Sequence, residues 1–139
     1  MKPKRSSGKS SAATKSKVPV TSGSDEAYSL IHDWFAKKGR QPFEFQKQAW
    51  HYYLNGYNGL LNAPTGSGKT YALWLPVLME YIINNKDHKK KRPLGIQLIW
   101  ITPLKALSKD IEKAMKEVCE DFEIPWQIST RTGDTSQTV

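Results

Sequence analysis

Residues 63–70 read Ala-Pro-Thr-Gly-Ser-Gly-Lys-Thr, and these types at this spacing suit one chemistry, the holding of phosphate. Glycines at 66 and 68 let the backbone turn tightly and bring its N–H groups onto phosphate oxygens with no Cβ in the way. The ammonium of Lys69 follows within reach of β- and γ-phosphates, and the hydroxyl of Thr70 suits a magnesium ion shared with them. A helix started at Lys69 turns the positive end of its dipole toward the same charge. The pattern is a Walker A loop with alanine where glycine often stands. Thr65, Gly66, Ser67, Gly68, Lys69 and Thr70 are therefore candidate nucleotide-binding residues, with Lys69 and Thr70 as catalytic candidates and Thr70 as magnesium ligand. ATP and Mg2+ are the cofactors to expect.

A second place carries chemistry of a related kind. Thr102 offers a capping hydroxyl, Pro103 suits a first helical position, and Lys105 adds a cation to the first turn. Together they make an anion site fit for a nucleic-acid phosphate.

The elements that must position these groups follow from periodicity. Ser24 is placed to cap a helix whose first turn holds Asp25 and Glu26; Tyr28, Ile31 and Phe35, with Leu30 and Trp34, recur at helical spacing, and Gly39 is a stop signal. A second helix is predicted over residues 44–54, carrying Phe45, Ala49, Tyr52 and Tyr53. Residues 60–63 form a short predicted strand leading into the glycine-rich loop, and residues 69–84 a strongly apolar helix interrupted by Pro76. The run 94–101 is almost continuously apolar, as expected of a strand buried on both faces. A further helix is predicted from Pro103, with Leu104, Leu107, Ile111, Ala114, Met115 and Val118 on one face, and a last strand over 126–130. Strands alternating with helices predict an α/β fold, a parallel sheet flanked by helices.

Composition narrows the setting. The chain has 139 residues and a formal net charge of +8, enough for one ordinary domain. Six basic residues and no acidic one fall in residues 1–24, leaving 15 basic and 13 acidic residues for the rest. A protein that coats nucleic acid through a broad basic surface is thereby argued against. Residues 1–24, with seven serines and no aromatic residue, read as a disordered basic tail. It is either a nonspecific phosphate-binding arm or a solvating extension. The cluster Lys89, Lys90, Lys91 and Arg92 is either a nucleic-acid contact or a solvated loop. The single cysteine, Cys119, excludes an intrachain disulfide and favours a reducing compartment. No apolar run nears the roughly 20 residues needed to span a bilayer, and no export signal is visible, so a cytoplasmic protein without membrane partners is expected.

With these residues in place, the sequence resembles superfamily 2 helicases. The phosphate loop followed by Tyr71-Ala72-Leu73-Trp74-Leu75-Pro76 is similar to their motif I, which also commonly carries a proline in the following helix. Gln41-Pro42-Phe43-Glu44-Phe45-Gln46 resembles their Q motif, which implies that the Gln46 amide, both donor and acceptor, reads the adenine edge. Phe43 or Phe45 would pack on that base or join the core. Ile101-Thr102-Pro103-Leu104-Lys105-Ala106-Leu107 resembles motif Ia. Thr130-Arg131-Thr132-Gly133-Asp134-Thr135-Ser136 resembles a Thr-Gly-Asp-Thr segment of Lhr-type helicases and of the bacterial ligase-associated DEXH-box group, and the Trp34-to-Trp50 region also suits that group, although Arg40 stands where an aromatic residue is usual. Thr102, Pro103, Lys105 and Thr135 would then meet a DNA backbone.

The resemblance implies residues 25–139 as the N-terminal part of a first RecA-like ATP-binding domain, truncated before motif II, since no Asp-Glu-x-His or Asp-Glu-Ala-Asp sequence occurs. Glu112, Glu117, Glu120, Asp121 and Glu123 are read as solvated helix carboxylates that cannot replace it. The implied activity of the parent protein is ATP-driven movement along single-stranded DNA in the 3′-to-5′ direction, in a repair setting beside a DNA ligase and a nuclease, the fragment alone being inactive. Alternatives are a DEAD-box-type RNA helicase fragment and a non-catalytic nucleotide- or nucleic-acid-binding module.

Overall fold

The computed structural model describes residues 23–64, 66–90, 93, 95–103 and 105–133, with side chains from residue 25 onward. The basic segment 1–22, Thr65, Lys91, Arg92, Leu104 and Thr135 lie outside the described residues, as does the side chain of Ser24. Four helices follow one another: α1 (Gly23–Lys37), α2 (Glu44–Leu54), α3 (Lys69–Asn84) and α4 (Lys105–Asp121).

Helix α3 is the centre, with α1 and α2 packed against it. Its sequence is apolar nearly all round, and Trp74, Leu75, Leu78, Met79 and Ile82 are buried, each contributing roughly 2 kcal/mol by leaving water. Helix α1 supplies Ala27, Ile31, Trp34 and Phe35 to the same core, and α4 supplies Met115, Val118 and Cys119. The helix continues through Pro76, which has no N–H to give the Ala72 carbonyl.

Two of the helices end in the same way for different reasons. After α1, Gly39 has φ 66°, Gly39 N–H bonds the Ala36 carbonyl and Arg40 N–H the Phe35 carbonyl, both at 2.9 Å. That is a Schellman closure with glycine where the left-handed residue belongs. After α4 the same pair of bonds runs from Glu123 to Glu120 at 3.0 Å and from Ile124 to Cys119 at 2.8 Å. Here the left-handed position is held by Glu123, at φ 54°, a conformation that strains an L side chain.

The C-terminal ends of α1 and α4 are tied together. Trp34 donates its indole N–H to Asp121 Oδ2 at 2.7 Å. Lys38 lies 3.1 Å from the same oxygen, pairs with Glu117, and stands 5.0 Å over the Trp34 ring. The indole N–H and then Lys38 hold Asp121 below the usual carboxylate range, and Glu117 and Asp121 raise the Lys38 ammonium. Elsewhere Glu112 accepts from Lys116 and Thr130, and Glu123 from Lys89 at 3.1 Å. Glu117, Asp121 and Glu123 are exposed, as expected of solvated carboxylates, and Glu112 is half-buried, but each of the four also has a hydrogen-bond or ion-pair partner. The partners come from α1 for Glu117 and Asp121, from the next turn of α4 and from Thr130 for Glu112, and from Lys89 for Glu123.

One further expectation, the apolar face of α4, is corrected, and the expected sheet is not seen among the described residues. The buried stripe of α2 is Gln46 and Trp50, while Tyr52 is 57% exposed and Tyr53 38% exposed. Leu107 is 47% exposed, so the buried face of α4 is carried by Met115, Val118 and Cys119, nearer its C-terminal end. Most importantly, no strand occurs among the described residues: 60–63, 95–101 and 126–130 run without ladder pairing. Leu60, Ile96, Ile99 and Ile101 are 96%, 81%, 71% and 88% exposed. A strand buried on both faces requires neighbours on each edge and a layer over each face. Segments 95–103 and 125–133 instead border one cleft.

Candidate nucleotide-binding site

The phosphate loop is set by the chain on either side of it. Gly66 and Gly68 both take positive φ, 74° and 87°, the left-handed conformation that glycine adopts without penalty. Gly68 is the N-cap of α3, so the loop ends where the helix presents its first N–H groups. Ala72 N–H returns to the Gly68 carbonyl at 3.1 Å. Ser67 closes the turn onto the Pro64 carbonyl from its N–H at 3.3 Å and from its hydroxyl at 2.5 Å.

Lys69 is half-buried, and its ammonium donates to the Ala63 carbonyl at 2.7 Å and the Pro64 carbonyl at 3.3 Å. An ammonium has three N–H groups, so this arrangement lays the charge across the loop mouth with donor capacity beyond those two carbonyls. Thr70 follows in the first turn of α3, half-buried.

Behind the loop stands α2. Gln46 is 1% exposed; its amide oxygen accepts from Phe43 N–H at 2.8 Å, and its amide nitrogen donates to the Gly68 carbonyl at 3.0 Å. Trp50, one turn along the same face and fully buried, donates its indole N–H to the Tyr71 carbonyl at 3.3 Å. Two side chains of α2 thus grip the first turn of α3 by its carbonyls. Beneath them Trp34 and Phe35 of α1 meet Tyr71 edge-on at 5.5 and 6.3 Å. Sequence reasoning did not single out Trp50; its spacing of four from Gln46 places it on the same helix face and was the available signal. Phe43 is 59% exposed and stacks on Phe45, with ring centroids 5.9 Å apart, so a flat aromatic surface adjoins Gln46.

The second group of candidates lies elsewhere. Thr102, Pro103 and Lys105 line a cleft of about 1230 Å³, with Trp74 and Trp126 also in its wall, which the described phosphate-loop residues do not line. The indole N–H groups of Trp74 and Trp126 are buried there with no hydrogen-bond partner among the described residues. The structure therefore brings Gln46, Gly68 and Lys69 into one site and leaves Thr102, Pro103 and Lys105 in another, while Thr65 and Thr135 lie outside the described residues. Among the described residues no three His, Cys, Asp or Glu side chains group to hold a metal, and no helix is long and apolar enough to cross a membrane.

A glycine-rich turn that caps a helix beginning Lys-Thr has the geometry of a phosphate-loop protein. The chain belongs to the DEAD/DEAH box helicase family, whose pattern matches residues 43–139. It is 31% identical over 118 residues to the Lhr helicase/uracil glycosylase of Escherichia coli, covering 74% of this chain and 8% of that protein. It is also 31% identical over 126 residues to the ATP-dependent helicase Lhr-Core of Methanothermobacter thermautotrophicus, covering 81% of this chain and 14% of that one. The ATP-dependent RNA helicase MAK5 of Saccharomyces cerevisiae is 36% identical over 80 residues, 58% of this chain and 10% of its own length. The chain therefore spans only a small part of these relatives. No solved structure matches it. Membership implies a RecA-like fold, of which the helices are present and the sheet is absent among the described residues.

Proposed function

We propose that the chain is the ATP-binding portion of an ATP-dependent DNA helicase or translocase of the Lhr type. The observation that carries this reading is the loop itself: Gly66 and Gly68 at positive φ, with Lys69 starting the helix that Gly68 caps. Thr65, Gly66, Ser67, Gly68, Lys69 and Thr70 would hold the phosphates of ATP. Thr70 would be the protein's ligand to Mg2+, which when bound neutralises charge building on the β- and γ-oxygens. Gln46 would offer its remaining amide N–H and lone pair to adenine, with the exposed Phe43 ring beside it. Thr102, Pro103, Lys105 and Thr135 would meet the phosphates of single-stranded DNA. Hydrolysis needs carboxylates that hold magnesium and place the attacking water, and the sequence contains neither motif that would supply them. The chain alone would therefore bind nucleotide without turning it over. A cytoplasmic repair setting, with a DNA ligase and a nuclease as partners, follows from the ligase-associated resemblance.

A second reading, an RNA helicase, is favoured by the similarity to MAK5. Mg-ATP binding by calorimetry tests the first claim: Lys69→Ala is expected to weaken it at least tenfold, and unchanged affinity would refute the phosphate-loop assignment. Fluorescence anisotropy with single-stranded DNA and RNA of the same sequence separates the two readings, tighter DNA binding supporting the Lhr type.

A further inference from the structure

We infer that Thr130 and Glu112 are a positioning pair that holds Arg131 at the cleft of Thr102 and Lys105, where its guanidinium meets a phosphate of single-stranded nucleic acid. This rests on the nucleic-acid reading of Thr102 and Lys105 above and adds to it a contact and the device that sets it.

Three charged side chains line the cleft among the described residues: Lys105, Glu112 and Arg131. Lys105 opens α4 and Arg131 belongs to segment 125–133, so the two cations reach the cleft from different stretches of chain. Glu112 would oppose an anion, but both its oxygens are taken: Oε1 accepts from Lys116 and Oε2 from the Thr130 hydroxyl. The Lys116 ammonium offsets its charge, and the two cations are not cancelled by it. Arg131 is exposed and pairs with no carboxylate among the described residues. A guanidinium stays charged and presents a planar fork of N–H donors that fits two oxygens of one phosphate.

The placement of Arg131 depends on the residue before it. Segment 125–133 has no ladder pairing among the described residues, so side chains hold it. Trp126 meets Tyr81 and Trp74 edge-on, with ring centroids 5.0 and 5.7 Å apart, and Ile128 packs against the same core. The next attachment is the Thr130 hydroxyl on Glu112, one residue before Arg131. A bond to a carboxylate is about twice as strong as one between neutral groups, and Lys116 fixes that carboxylate from the next turn of α4. Without the hydroxyl, the chain beyond Ile128 loses its tie to α4 and Arg131 is no longer fixed at the cleft wall, while the packing of Trp126 and Ile128 is untouched.

Fluorescence anisotropy of a labelled oligothymidylate, titrated with the full chain over a series of salt concentrations, tests this with wild type, Arg131→Gln, Thr130→Val, Thr130→Ser and Lys105→Gln. The Thr130 variants leave the charge unchanged, so their effects are effects of placement. Circular dichroism reports whether each variant is folded, and Thr130→Ala replaces Thr130→Val in the comparison if valine is not accommodated. Arg131→Gln is expected to bind about tenfold more weakly, the size of one charge-assisted hydrogen bond. It should also lower the slope of log affinity against log salt by about 0.7, the share of one phosphate of a single strand. Thr130→Val should lose about threefold with Arg131 intact, and Thr130→Ser, which keeps the hydroxyl, should recover the loss. Combined with Arg131→Gln, Thr130→Val should cost nothing more, because the two act through one contact. Wild-type affinity and salt slope in Arg131→Gln, with Lys105→Gln weakened, overturn the inference and leave the reading beneath it standing. Equal affinities of Thr130→Val and Thr130→Ser, or additive losses in the double variant, overturn the positioning role. Failure of wild type to bind, or of Lys105→Gln to weaken binding, overturns the nucleic-acid reading of the cleft instead.

Discussion

Gly66→Ala and Gly68→Ala form a matched pair, because the two residues share a loop and nearly the same φ but differ in what surrounds them. At Gly66, φ is 74° and an added Cβ meets nothing within 4 Å; at Gly68, φ is 87° and it meets Gln46 Nε2 at 2.6 Å. Placing an L side chain in the left-handed region costs about 1–2 kcal/mol, offset by about 0.4–1 kcal/mol from the less flexible unfolded chain. Gly66→Ala should therefore destabilise by about 1 kcal/mol. Gly68→Ala carries the same strain and must also displace a buried amide with two hydrogen bonds, each worth about 1 kcal/mol net and more if a partner is stranded. The expected loss is about 3 kcal/mol. Urea unfolding followed by tryptophan fluorescence measures the difference, since Trp34 and Trp50 are buried beside the loop. With an m-value of about 2 kcal/mol/M, the Gly68→Ala midpoint should fall about 1 M below that of Gly66→Ala. Coincident midpoints would refute the claim that the Gln46 contact constrains the loop.

Three other outcomes follow from the same structure. Glu123→Gly should stabilise the chain by about 1 kcal/mol, because glycine relieves the left-handed residue of the α4 closure while the exposed pair with Lys89 contributes little; a loss of stability in urea would contradict this. Asp121 is held below its unfolded value by Trp34 and Lys38, so its contribution is present above about pH 4 and lost as pH falls through the folded value. Asp121→Asn should accordingly be modestly less stable than wild type at pH 7, with the gap narrowing as pH falls below about 4, and a pH-independent gap in denaturant midpoints would show that the charge is irrelevant. Cys119 is 3% exposed and burial pushes its thiol up to about 12; it should resist iodoacetamide at pH 8 in the native protein and react in 6 M urea, so rapid native alkylation would mean that α4 opens readily.

Much of this was legible in the chain, for reasons that differ from place to place. Helices α1 and α3 announce themselves because their apolar residues recur at helical spacing and their ends carry stop or start signals, Gly39 for one and Gly68-Lys69 for the other. The phosphate loop is legible because only a few residue types can do its work. The burial of Gln46 and Trp50 was not, since α2 carries aromatic residues on several sides and the choice of face is made by α3. The runs 60–63, 94–101 and 126–130 have strand composition, but pairing is a property of neighbours, and among the described residues Ile96, Ile99 and Ile101 stay exposed. Lys38, Glu117 and Asp121 read as surface charges because nothing local reveals that residues 79 and 83 positions apart meet.

The family pattern begins at residue 43, yet α1 ends before it and places Ala27, Ile31, Trp34 and Phe35 in the core. A polypeptide trimmed to the recognised boundary would lose the aromatic floor under Tyr71 and leave Asp121 without either of its partners. For anyone expressing or transplanting this unit, a border drawn where the similarity starts would leave out α1, which begins some twenty residues upstream, at Gly23. Phosphate affinity measured on the shorter piece would report the damage to its foundations as much as the properties of its loop.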